Sequence, residues 1–104
     1  MSELGDMRRE FTRMVWKLME FAFANGFELT IDYVKRCLGC DVGKVDSLHK
    51  LGLAVDFNLY RDDIYLKDTE DHLPLGEYWE SIGGSWGGRF EDGNHYSLPF
   101  RGKR

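Results

Sequence analysis

The segment Leu53-Ala54-Val55-Asp56-Phe57-Asn58-Leu59 constrains the chain most. Strict alternation over seven residues predicts a β-strand over 52–59 with two unlike faces. Leu53, Val55, Phe57 and Leu59 form a core face. The opposite face carries Gly52, Ala54, Asp56 and Asn58, two residues too small to fill space and two polar ones. Such a face leaves room for something other than side-chain packing, and a metal ion or ligand is the natural candidate.

The other elements follow from periodicity. Phe11, Met14, Val15, Leu18, Phe21 and Ala22 recur at helical spacing and predict a helix over 6–25, stopped by Asn25-Gly26. Trp16, Met19 and Phe23 widen its apolar stripe and predict cover on more than one side. That stripe is read as core rather than as a membrane face. A strand is predicted over 27–33, a loop over 35–48, and a hairpin at Arg61-Asp62-Asp63 leading into Ile64-Tyr65-Leu66. A second helix is predicted over 73–82. The glycine-rich run 83–88 reads as a flexible connection pinned by Trp86, and a last strand is predicted over 95–100. Trp79 and Trp86 are read as core. This order predicts an α+β fold, a mostly antiparallel sheet packed against helices.

With 104 residues, one domain over 1–104 is expected. The longest run without Asp, Glu, Lys or Arg is eight residues, far short of the about 20 that a membrane-spanning helix needs. No stable membrane insertion and no secretory signal are expected, so the chain is expected to be made in the cytoplasm. Fourteen basic against eighteen acidic side chains give a net charge of −4, which argues against a nucleic-acid partner.

His49 precedes the Asp56 strand and His95 begins the last one. His49, Asp56 and His95 are plausible ligands of one zinc ion, since three protein ligands and one open position make a catalytic site. Asp92, three residues before His95, would then be placed as general base. Glu91 is an alternative base, and Asn58 a candidate partner of Asp56. The bland reading is a half-buried histidine and two turn carboxylates with ordinary hydrogen bonds. His72, in the polar run Thr69-Glu70-Asp71-His72, is read as solvated or capping. Cys37-x-x-Cys40 lacks a second ligand pair at close spacing and reads as two free thiols, with a bond between them after release from the cell, a metal, and a thiol-based redox role as the alternatives.

The pattern Ser47-x-His49-x-x-Gly52-x-Ala54-x-Asp56, with a distal Asp92-x-x-His95, resembles the zinc D,D-carboxypeptidase and L-alanyl-D-glutamate peptidase family. That family includes vancomycin-resistance peptidases and phage peptidase endolysins, and shares its fold with the hedgehog signalling domain. The blocks Leu75-Gly76-Glu77-Tyr78-Trp79-Glu80, Trp86-Gly87-Gly88-Arg89-Phe90 and Asp92-Gly93-Asn94-His95-Tyr96-Ser97 are similar to the phage branch. The resemblance runs over about 27–100. It implies one Zn2+ held by His49, Asp56 and His95, with Asp92 as the base that activates a zinc-bound water. It implies Ser47 and Arg36 as substrate-binding residues, although 33–46 departs from the family's pattern with Cys37-Leu38-Gly39-Cys40. The implied partner is the peptidoglycan stem peptide, cut at L-Ala–D-Glu or at D-Ala–D-Ala by a monomer. An endolysin of this kind would gather in the host cytoplasm and reach the cell wall through a holin-type pore. The alternative is a non-catalytic zinc-binding module of the same fold that holds a peptide or protein.

Overall fold

Ser2 opens helix α1, Glu3–Ala24, its hydroxyl accepting the Gly5 N–H at 3.0 Å. This comes from a computed structural model, which describes residues 2–32, 48 and 51–100. The helix ends as Asn25-Gly26 predicts. Gly26 takes φ +85°, its N–H reaches Phe23 O, and the Phe27 N–H reaches back to Ala22 O at 2.9 Å. This is a Schellman motif, in which a left-handed residue satisfies the last carbonyls.

One stripe of α1 is buried: Phe11, Met14, Leu18 and Ala22. The wider cover expected for it is found in part: Met19 packs half-buried against the core and Phe21 stacks on Tyr78, whereas Trp16 is 61% and Phe23 53% exposed. Strand β1, Glu28–Ile31, follows; Phe27 before it is buried, while Ile31 at its end is exposed.

Strand β2, Ala54–Arg61, organises the sheet. Strand β1 pairs antiparallel along 57–60, with Thr30 opposite Asn58. Strand β3, Ile64–Leu66, returns as a hairpin through Asp62 and Asp63, both at left-handed φ (53° and 65°). Two such residues give the turn whose twist matches paired strands. Strand β5, His95–Ser97, pairs with β2 along 54–56, and β4, Ser85–Trp86, pairs with β5. The order is β1-β2-β5-β4, with every pairing antiparallel. Strands β1 and β3 share partners on β2, so they lie on opposite edges of it.

Helix α2, Leu73–Ser81, has Pro74 in its first turn, where a missing N–H costs nothing. Its Trp79 is fully buried against Phe11 of α1 and donates Nε1–H to Ser97 O at 2.9 Å and Ser85 O at 3.2 Å. One indole thus fixes α2 to β4 and β5. The core joins Phe57, Leu59 and Tyr96 of the sheet to these helical stripes. Trp79 and Trp86 belong to that core, as expected. The architecture is α+β, with both helices contributing to the core on one side of an antiparallel sheet.

The run 83–88 is not a flexible connection. It forms β4 and opens a 3-10 turn, Gly87–Phe90. A Cβ on Gly84 would sit 2.0 Å from the Trp79 indole, and one on Gly76 2.1 Å from the Trp86 indole. These glycines are flat seats for indoles.

Candidate active site

The alternation of β2 puts Phe57 and Leu59 in the core and turns Asp56 to the other face. Asp56 stands directly across from His95 in the β2–β5 register. His95 Nδ1 and Asp56 Oδ1 are 3.2 Å apart. Their side chains are 16% and 17% exposed, so the pair is shielded yet reachable. Antiparallel register brings together two residues 39 apart in sequence.

Asp92 lies in the loop 91–94 immediately before His95, on the surface. Its backbone is held at both ends: the Asp92 N–H donates to Gly87 O at 2.9 Å, and the His95 N–H donates to Asp92 O at 3.1 Å. Gly93 is held too. Trp86 Nε1–H donates to Gly93 O at 2.7 Å, and the Gly93 N–H donates to Thr69 Oγ1 at 3.2 Å. The Phe57 N–H reaches Asn94 O at 2.9 Å. Glu91, the other candidate base, sits at left-handed φ (63°) as the 3-10 turn ends. Gly87 allows this packing: a Cβ there would lie 2.3 Å from Asp92 O and 2.7 Å from His95 Cβ.

His72 stands at the N-cap position of α2, but its side chain makes no capping bond and it is not solvated. It is 2% exposed, and its Nδ1 lies 2.8 Å from Tyr96 Oη. Burial lowers its pKa from 6.5 to about 4, with Asp71 pulling weakly the other way. Burial also pushes the Tyr96 phenol well above its ordinary value. The phenol therefore keeps its proton and donates it to a neutral imidazole. Thr69 and His72, both from the 3-10 turn Thr69–His72, are the residues near the site that sequence reasoning missed. The turn points them inward while Glu70 stays exposed.

Ser47, His49 and Arg36 lie outside the described residues, as do Cys37 and Cys40. Among the described residues no three His, Cys, Asp or Glu side chains form a group able to hold a metal. Asp56 and His95 are thus the part of the expected ligand set that the structure brings together.

A family model described as D-alanyl-D-alanine carboxypeptidase matches residues 41–98. The match covers more than half of the chain. The chain belongs to this family of peptidases. A search of curated proteins returned no match. The span matched to the D-alanyl-D-alanine carboxypeptidase family takes in β2 through β5 and the loop 91–94, and so every candidate metal-ligand, base and substrate residue except Arg36, while Cys37 and Cys40 precede it. Helix α1 and strand β1 precede it. No helix among the described residues is long and apolar enough to cross a membrane.

The Asp56–His95 geometry bears on the zinc ion that the sequence resemblance implies. Ligand atoms about 2.0–2.1 Å from a tetrahedral zinc ion lie about 3.3 Å from each other. The observed separation is 3.2 Å between an imidazole nitrogen and a carboxylate oxygen, donors that suit zinc. The separation matches one edge of such a site and equally an ordinary hydrogen bond between imidazole and carboxylate.

Proposed function

We propose that the protein is a zinc metallopeptidase that hydrolyses the stem peptide of bacterial peptidoglycan, at L-Ala–D-Glu or at D-Ala–D-Ala. The observation that carries this reading is the Asp56–His95 pair, set at zinc-ligand spacing on the face of β2 that the core does not use. His49 is the proposed third ligand. A bound zinc ion would supply Lewis-acid polarisation of the scissile carbonyl and of water.

This chain's residues supply the rest. The surface carboxylate of Asp92, on a loop fixed next to His95, takes a proton from water as that water adds to the peptide carbonyl. The C–N bond breaks as the same proton passes to the leaving amine. The clamps on Gly93 and on the Asp92 backbone fix where the side chain of Asp92 starts, which limits the positions its carboxylate can take. Ser47 and Arg36 are the proposed substrate contacts, Arg36 for a carboxylate or the developing oxyanion. The biological setting that accords with this activity is a phage endolysin, monomeric, made in the host cytoplasm and released to the wall through a holin-type pore.

Purified peptidoglycan incubated with the protein, with and without a zinc chelator, tests the reading by mass spectrometry. Chelator-sensitive fragments with a new peptide terminus are expected, and their masses name the bond. Intact stem peptides from several wall types, with zinc bound to the protein, would replace this reading by a non-catalytic zinc-binding module.

A further inference from the structure

The face of the sheet that carries Asp56 continues beyond it. Strand alternation puts Asn58 and Tyr60 on the same side of β2. Cross-strand register adds Thr30 opposite Asn58, Glu28 opposite Tyr60, and Tyr65 of β3 opposite Tyr60. The Tyr60 and Tyr65 rings lie 5.5 Å apart at 43°, and Tyr65 is 54% exposed. Polar groups border the rings: Tyr65 Oη lies 3.5 Å from Asn58 Oδ1, and Thr30 Oγ1 lies 3.4 Å from Tyr60 Oη. Four residues along a strand place Tyr60 about 13 Å from Asp56.

We propose, resting on the peptidase reading above, that Tyr60 and Tyr65 form a subsite for the amino sugar that carries the stem peptide. Three observations select a sugar. Aromatic faces bordered by hydroxyl and amide groups match a ring with one apolar face and a rim of hydroxyls. The charged side chain that β1 sets beside the rings is acidic, Glu28 opposite Tyr60. It disfavours a carboxylate there but not a neutral sugar. The subsite is also continuous with the Asp56–His95 pair along one strand. At about 3.5 Å per residue, a stem peptide of several residues carried by a sugar on Tyr60 and Tyr65 spans the about 13 Å to the Asp56–His95 pair.

Matched substrates test this: the disaccharide-bearing stem peptide and the same peptide without sugar. The wild type is expected to show about tenfold higher kcat/KM on the sugar-bearing form, from a lower KM. Tyr65→Ala should bring that ratio close to one, and Tyr65→Phe, which keeps the ring, should retain most of it. Partial unfolding lowers both rates together and leaves the ratio, so the ratio reads the sugar contact alone. A wild-type ratio of one, or a tenfold ratio surviving in Tyr65→Ala, overturns the subsite while leaving the peptidase reading intact. If the wild type cleaves neither substrate, the peptide-free disaccharide is titrated and the tyrosine ring resonances are followed by NMR. Shifts at Tyr60 and Tyr65 would keep the sugar site and discard the peptidase reading; unshifted rings would discard both.

Discussion

In the proposed mechanism two carboxylates near one histidine carry different duties, and their surroundings differ accordingly. Asp56 is shielded and paired at 3.2 Å with His95, whereas Asp92 is exposed on a clamped loop. Asp92→Ala should therefore lower kcat by about 10²–10⁴ and leave the zinc content unchanged. Metal analysis beside the rate measurement checks this, and zinc lost together with activity would remove Asp92 from the role of base. His72 yields a second expectation. Its folded pKa of about 4 lies below its unfolded value of 6.5, so the unfolded chain binds more protons between those limits. Stability is full above pH 6.5 and falls as pH drops towards 4, by up to about 3 kcal/mol. Denaturant melts of the wild type and of His72→Gln across this window should show the slope flattened in the variant. Asp56 was legible in the sequence because alternation alone assigns its face. His72 was not, because its neighbours Thr69, Glu70 and Asp71 are polar, and only the 3-10 turn makes the ring face Tyr96.

Elements were legible in proportion to their length. Helix α1 and strand β2 each repeat their period several times, and both were readable from the pattern to within a few residues of their ends. Strand β4 has two residues and no period to detect. Its identity comes from its pairing with β5 and from the Trp79 indole that bonds Ser85 O and Ser97 O. The stripe of α1 was overestimated for a related reason. Trp16 and Phe23 have the hydrophobicity of core residues, but which helical stripe is buried depends on where the sheet lies. The Trp86 clamp tests how far an element controls the site. Trp86→Phe keeps most of the buried ring and removes the N–H that Gly93 O accepts at 2.7 Å. An unpaired buried carbonyl costs about 1–3 kcal/mol. The expected result is a stability loss of that order together with a fall in kcat at nearly constant KM, because the loop bearing Asp92 loses its anchor. A KM rise at constant kcat would show that the clamp serves substrate binding instead.

At the scale of the whole molecule, the site joins strands distant in sequence, so an ion held there binds the folded chain and not the unfolded one. Asp56 and His95 are 39 residues apart and meet only when β2 and β5 pair. Ligand binding of this kind stabilises by mass action, about 2.7 kcal/mol at one hundred times the dissociation constant. For a domain near 100 residues, each kcal/mol moves the melting temperature by about 4–8 °C. Zinc at that excess should therefore raise Tm by roughly 10–20 °C, and a chelator should reverse the rise. Three variants divide the expectation. His95→Ala and Asp56→Ala should melt at the same temperature with and without zinc, since each removes a proposed ligand. Asp92→Ala should keep the whole rise, since the role proposed for its carboxylate is to handle a proton and not the metal. Calorimetry thus separates the ligands from the base without any substrate. An Asp92→Ala protein that has lost the zinc-dependent rise would move Asp92 into the ligand set. A His95→Ala protein that keeps the full rise would place the ion elsewhere, and with it the chemistry proposed for this face of the sheet.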